Sequence, residues 1–281
     1  MQIFDQVVAL QNFLKDCRKD SQKIAFVPTM GGLHDGHISL IDRAKECANL
    51  VVVSIFVNPT QFAVNEDFDN YPKTLAQDKA FLESKKIDAL FIPQSSEIYP
   101  EGLLSDYDVG KLGGILCGMS RPSHFDGVAQ VINRLFDIIK PNYSVFGEKD
   151  YQQLLVIKSL VKNKDLDTIV ESVSTVREKD GLAMSTRNQY LSHDQRTKAP
   201  LFYRKLVNTR NAIMKGMAIK DAIKQVVSEL SDLFEVEYVE VLEANNLTEI
   251  TTTTEEIIII SAVRLGETRL IDNILFRSSN V

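Results

Sequence analysis

The chain has 281 residues, 44% of them hydrophobic and 25% charged, an ordinary globular composition that suits one large domain or two and gives no sign of disorder. Its formal net charge of −6 excludes a broad basic face for nucleic-acid phosphates, so any anion site must be local. Cys17, Cys47 and Cys117 contain no C-x-x-C pair, which argues against a disulfide framework or a cysteine-rich zinc site and for reduced thiols. With no basic-then-apolar leader pattern and no apolar run of about 18 residues, the expectation is a cytoplasmic protein without a membrane partner.

Apolar runs and segments of helical periodicity alternate from the start. A helix is expected over residues 4–17, a strand over 24–27, a glycine-containing loop over 28–36 and a helix from Ile38 to residue 47, with Ile38, Leu40, Ile41 and Ala44 on one face. The strand expected over 50–57 is almost continuously apolar, as in a central parallel strand covered on both faces. Helices over 73–85, 125–139 and 151–161 and strands over 87–92, 143–146 and 168–173 complete a run of parallel βαβ units. That is an α/β domain, expected over residues 1–176, whose ligand belongs at the C-terminal edge of the strands where topology reverses. Beyond it, a long helical region and runs at 236–242, 257–263 and 268–276 predict a smaller α+β domain over 177–281 with an antiparallel sheet, packed closely on the first.

His34-Asp-Gly-His37 falls at the corner between the first strand and its helix. Helix N-termini offer unpaired N–H groups and the positive end of the macrodipole, so two imidazoles there suit phosphate, and a nucleotide is the first ligand to consider. Gly31 and Gly36 have P-loop spacing, but His37 and Ile38 replace its Lys and Ser/Thr, which excludes a Walker ATPase. The loops over 27–37, 58–61 and 147–150 all follow expected strands and would converge on one sheet edge.

Further segments keep company with that corner. Phe26-Val-Pro-Thr-Met-Gly-Gly-Leu-His-Asp-Gly-His37 is followed by Val53-Ser-Ile-Phe-Val-Asn-Pro-Thr-Gln-Phe62, Asp69-Asn-Tyr-Pro-Lys-Thr74, Arg121-Pro-Ser-His-Phe125, Phe146-Gly-Glu-Lys-Asp-Tyr-Gln-Gln153, Val176-Arg-Glu, Leu182-Ala-Met-Ser-Thr-Arg-Asn188 and Thr268-Arg-Leu-Ile-Asp-Asn273. In kind, order and spacing, from Phe26 to Asn273, these resemble the pantoate–beta-alanine ligase family of the His-x-Gly-His nucleotidyltransferase superfamily.

The resemblance implies a Rossmann-like nucleotide-binding domain, a C-terminal lid domain, a homodimer, and ATP-dependent condensation of (R)-pantoate with β-alanine through a pantoyl adenylate. It implies an ATP site from Met30, Gly31, Gly32, Leu33, His34, Asp35, Gly36 and His37, with His34 and His37 at the phosphates and His37 as proton donor. Gly147, Glu148, Lys149 and Asp150 would also bind nucleotide, Lys149 at the phosphates and Asp150 at the ribose, with Val176 at the adenine. Met184, Ser185, Thr186 and Arg187 would form a mobile phosphate loop. Gln61, Gln153, Met30 and Asn58 would bind pantoate or β-alanine, and Asp78 would be associated with Mg2+ carried with ATP. His37, His34, Lys149 and Arg187 are the implied catalytic set.

The residue types suit the reaction. A carboxylate is ionised at neutral pH and needs no base to attack; what it needs is positioned cations and donors while charge builds on the phosphoryl groups. Thr186 departs from the family's usual second serine, keeping the hydroxyl and adding a methyl that stiffens χ1. Taken singly the residues have plainer readings: Lys149 and Asp150 as the charged first turn of a helix, Asp78 as a solvated helix face, Gln61 as a loop amide, Met30 as core, Arg187 as a cap. Rival functions are another nucleotidyltransferase of the superfamily acting on a different small acid or a phosphate ester, a non-catalytic nucleotide sensor, and a zinc site on His34, His37 and His124.

Overall fold

In the computed structural model, which describes residues 1–62, 66–72, 74–102 and 108–277, alternate residues of the central strands divide between two hydrophobic cores. The strands are β1 (Gln2–Phe4), β2 (Ile24–Thr29), β3 (Leu50–Ile55), β4 (Ala89–Phe91), β5 (Tyr143–Gly147) and β6 (Ile169–Val173), all parallel in the order β1-β4-β3-β2-β5-β6. Between them run α1 (Val7–Lys19), α2 (Asp35–Cys47), α3 (Leu75–Ser84), the short α4 (Ser95–Ile98) and α5 (Cys117–Ser120), α6 (His124–Ile139) and α7 (Tyr151–Asn163). Ile24, Phe26, Val52 and Phe91 pack with Leu10, Leu14, Ile132, Leu135 and Ile157 of α1, α6 and α7. Ala25, Val27, Val51, Val53 and Leu90 face the other way, onto Ile41 and Ala44 of α2 and Leu82 of α3. Burial on both faces explains the unbroken apolar run of β3.

The strand order reverses beside β2: β3 and β4 add on one side, β5 and β6 on the other. In open parallel sheets that reversal opens a crevice at the C-terminal strand ends. The chain leaving Thr29 enters it at once.

Departures from the expected boundaries have local causes. Residues 2–4 form a strand that pairs with β4, too short to show a period, and α1 therefore starts at Val7 rather than residue 4. The second helix starts at Asp35, three residues early, because His34 caps it. The helix expected from residue 73 begins at Leu75; Lys73 lies outside the described residues.

The chain divides into two compact units, Met1–Glu148 with Gln153–Ser174, and Lys149–Gln152 with Thr175–Val281. In the second, α8 (His193–Lys198), α9 (Pro200–Met214) and α10 (Ile219–Ser231) precede the antiparallel strands β7 (Glu235–Glu243), β8 (Glu256–Leu265) and β9 (Thr268–Arg277). Phe202, Leu206, Val226 and Leu230 of α9 and α10 cover Val239, Ile257, Ile259 and Leu270 of the sheet.

Candidate functional site

At the end of β2, Gly31 and Gly32 turn the chain at φ +83° and +64°, left-handed values that disfavour any side chain. The turn is then pinned from below. Asp78 of α3 is only 3% exposed, and its carboxylate accepts the N–H groups of Gly32 (3.0 Å) and Leu33 (2.8 Å) and the Thr74 hydroxyl (3.1 Å). The solvated-face reading of Asp78 is thus overturned. Both of its oxygens serve the turn, so the carboxylate implied as magnesium-associated is a loop anchor here.

His34 is the N-cap of α2. Its Nδ1 accepts the Gly36 N–H at 3.1 Å and the His37 Nδ1 accepts the His34 N–H at 3.2 Å, a reciprocal capping box with imidazoles in the roles usually taken by Ser and Glu. Because each Nδ1 is an acceptor, both rings are neutral with the proton on Nε2. The ring centroids lie 4.2 Å apart. This corrects one expectation. Most N–H groups around the helix N-terminus are already taken: those of His34 and Gly36 go to the imidazoles, that of His37 to the His34 carbonyl at 2.8 Å, and those of Gly32 and Leu33 to Asp78. Each imidazole carries its proton on Nε2, at the positive end of the α2 dipole.

After β3, Asn58 caps a single 3-10 turn, Pro59–Gln61. Asn58 is 1% exposed and its amide is fully engaged: Oδ1 accepts from the Tyr99 hydroxyl (2.8 Å), the Thr60 hydroxyl (3.0 Å) and the Thr60 N–H (3.4 Å), while Nδ2 donates to the Gly127 carbonyl (3.1 Å) and Gln61 Oε1 (3.3 Å). Asn58, implied above as a substrate contact, thus organises this turn and holds Gln61. Gln61 Nε2 donates to the Met30 sulfur at 2.9 Å, which brings together the two residues implied for pantoate.

At the end of β5, Gly147 leads into a 3-10 turn, Glu148–Asp150, and Glu148 accepts the Ser172 hydroxyl at 2.8 Å. Lys149 is half-buried and Asp150 exposed; Gln153 is half-buried on the first turn of α7.

In the second unit the Val176 carbonyl accepts the Met184 N–H (2.9 Å) across a narrow hairpin. Ser185 caps a 3-10 turn, Thr186–Tyr190, by accepting the Arg187 N–H at 3.3 Å. Two residues of β9 tie this unit's segments together. Asp272, 2% exposed, grips the Arg177 guanidinium through both oxygens at 2.7 and 2.8 Å, and Asn273 Nδ2 donates to the Lys149 carbonyl at 3.1 Å. Arg177 also stacks 3.4 Å over the Tyr203 ring. Sequence reasoning gave Asp272 and Asn273 no role, although they end one of the segments that carry the resemblance.

The three-histidine zinc grouping does not form. His124 is engaged with Gln61 and Arg121, and among the described residues no group of three His, Cys, Asp or Glu is placed to hold a metal ion.

Known proteins share both the sequence and this architecture. The family model described as Pantoate-beta-alanine ligase matches residues 2–275. The pantothenate synthetase of Vesicomyosocius okutanii is 50% identical over 276 residues, covering 98% of each chain. The crystal structure of pantothenate synthetase from Thermus thermophilus superposes with a TM-score of 0.91 at 39% identity, covering 98% of this chain and 99% of that one. That of pantoate-beta-alanine ligase from Francisella tularensis, complexed with beta-gamma ATP and beta-alanine, gives 0.83 at 36%, covering 98% and 97%. The chain belongs to the pantoate–beta-alanine ligase family.

Proposed function

We propose that this chain joins pantoate to β-alanine at the expense of ATP, in two steps. In the first, a pantoate carboxylate oxygen bonds to the α-phosphorus of ATP and the bond to the β-phosphate oxygen breaks, giving pantoyl adenylate and pyrophosphate. In the second, the β-alanine amine bonds to the acyl carbon, the bond to AMP breaks, and the nitrogen gives up a proton. The observation that carries the reading is the paired Nε2–H imidazoles of His34 and His37 at the topological switch, with Gln61 and Met30 joined at the end of the neighbouring strand.

The roles follow from chemistry. His34 and His37 donate to phosphoryl oxygens as their charge grows, with Lys149 and Arg187 supplying cationic charge. Gln61 orients pantoate through its amide, Met30 gives its methyl groups an apolar contact, and Gln153 adds a second amide. Mg2+ is typically held by one or two carboxylates plus substrate phosphates, and with Asp78 committed to the turn the residues fit an ion that arrives on ATP. When bound, it would neutralise charge on the phosphates. A cytoplasmic setting is supported by three free thiols, and no helix among the described residues is long and apolar enough to cross a membrane. A homodimer is proposed on the resemblance.

The test is direct. Purified protein with ATP, magnesium, D-pantoate and β-alanine should release AMP, pyrophosphate and pantothenate in equal amounts. AMP release that does not depend on pantoate would refute the reading.

A further inference from the structure

Arg121, on the loop entering α6, and His124, the first residue of α6, surround one atom of the substrate turn. The Gln61 carbonyl accepts from His124 Nδ1 at 2.7 Å and from Arg121 Nη2 at 3.2 Å. Arg121 Nη1 lies 2.9 Å from His124 Nε2, and its Nε and Nη2 meet the Glu66 carboxylate at 2.5 and 2.7 Å. A guanidinium can only donate, so His124 Nε2 must be a lone pair. The ring proton therefore sits on Nδ1 and points at the Gln61 carbonyl, the tautomer opposite to that of His34 and His37.

The rest of the contact is stiff. A Cβ added at Gly127 would fall 2.3 Å from the Thr60 carbonyl oxygen and 2.9 Å from Gln61 N, so α6 and the turn touch backbone to backbone. Asn58 bridges the same junction. Gln61 is thus fixed on one side by packing and on the other by the Arg121–His124 pair.

We propose that Arg121 and His124 are positioning residues for the hydroxy-acid substrate: they clamp the Gln61 carbonyl through a neutral Nδ1–H imidazole, and substrate use falls when that imidazole gains a second proton. A protonated ring would set an Nε2–H against the Arg121 Nη1–H, breaking that bond and placing two cations together. Glu66, shared between Arg121 Nε and Nη2, faces the pair, and Asp126 on the same helix turn accepts the Val109 N–H at 3.3 Å. The Pro59–Gln61 turn brings no titratable side chain. The proposal rests on Gln61 holding pantoate, as assigned above.

The experiment pairs spectroscopy with kinetics. Nitrogen-15 NMR of labelled protein, with the His124 signals assigned by their loss in His124→Asn, should show a protonated Nδ1 and a bare Nε2 at neutral pH. His124→Ala should raise KM for pantoate about tenfold, the equivalent of one hydrogen bond, while KM for ATP stays within about twofold. His124→Asn, whose amide replaces Nδ1–H but cannot titrate, should recover most of that loss and flatten the acid limb of kcat/KM for pantoate. A protonated Nε2, or an Asn variant as impaired as the Ala variant while melting at the wild-type temperature, would overturn the proposal. Wild-type protein showing the Nδ1–H tautomer but no pantoate-dependent AMP would overturn the assigned reaction, and the substrate part of this proposal with it, leaving the clamp as a structural fact.

Discussion

The turns that follow β2 and β3 stand on neighbouring strands, with Thr29 opposite Ile55, yet they are held by different kinds of partner. The first is tied down through its N–H groups, which end on acceptors: Thr29 Oγ1, the Asp78 carboxylate and two imidazole Nδ1 atoms. The second is held from α6 and the loop before it: the Gln61 carbonyl receives Arg121 and His124, and Asn58 Nδ2 donates to the Gly127 carbonyl of α6. In each case much of the backbone is taken by protein partners, which makes side chains the candidates for recognition. At the first turn these are imidazole donors suited to phosphate; at the second, an amide suited to hydroxyl and carboxylate groups.

The largest test of that division is His37→Ala. If imidazoles rather than backbone amides stabilise the transition state, adenylate formation should fall by roughly 10²–10³-fold, the usual loss on removing one donor to developing charge. Pyrophosphate release in a single turnover measures it. A folded variant with near-wild-type rate would return recognition to the helix backbone.

Asp78→Ala strikes the anchor instead of the recognition group. It leaves the Gly32 and Leu33 N–H groups without their acceptor, at about 1–3 kcal/mol each, so thermal unfolding should move down by several degrees and turnover should drop. The apparent Mg2+ requirement, titrated at fixed ATP, should stay where it is. A marked rise in that requirement would make Asp78 a metal ligand and break the contrast between the turns.

Much of the fold is legible in the sequence and part of the site is not, for identifiable reasons. The βαβ alternation and the three antiparallel runs can be read because burial on both faces, or on one, imposes a period on the sequence. His34 and His37 can be placed at a corner because a strand and a helix flank them. What cannot be read is who binds whom across the chain. The Asp78 bond to Gly32 spans 46 positions and the His124 bond to Gln61 spans 63, and no local pattern reports such pairs. For the same reason the sequence shows Asn58 as a substrate contact and Asp78 as a metal carboxylate, and only the fold shows that both hold the backbone of a turn.

On the second turn, Gly127→Ala should cost about 1–3 kcal/mol in unfolding free energy, since a methyl 2.3 Å from the Thr60 carbonyl oxygen forces α6 and the turn apart. KM for pantoate should rise and KM for ATP should not. Equal effects on both substrates would mean that the two turns move as one body and that their separate anchoring has no functional meaning.

The smallest effect belongs to Tyr99, whose hydroxyl donates to Asn58 Oδ1 at 2.8 Å beneath the second turn. Tyr99→Phe removes one neutral hydrogen bond and should cost about 0.5–1.5 kcal/mol, with activity nearly intact because Thr60 still serves the same oxygen. Its pH signature is more telling. Burial pushes the Tyr99 phenol above its ordinary value of 10, outweighing the opposing hydrogen bonds with Thr60 and Asn58. A group whose folded pKa is raised binds its proton more tightly in the native state, so its contribution is complete below the unfolded value near 10 and is lost as pH climbs through the folded one. Wild-type protein should therefore lose stability above about pH 10 more steeply than Tyr99→Phe, and the two unfolding curves should converge there. Parallel curves across that range would show that the phenol is not buried against Asn58. The second turn would then hang on α6 alone.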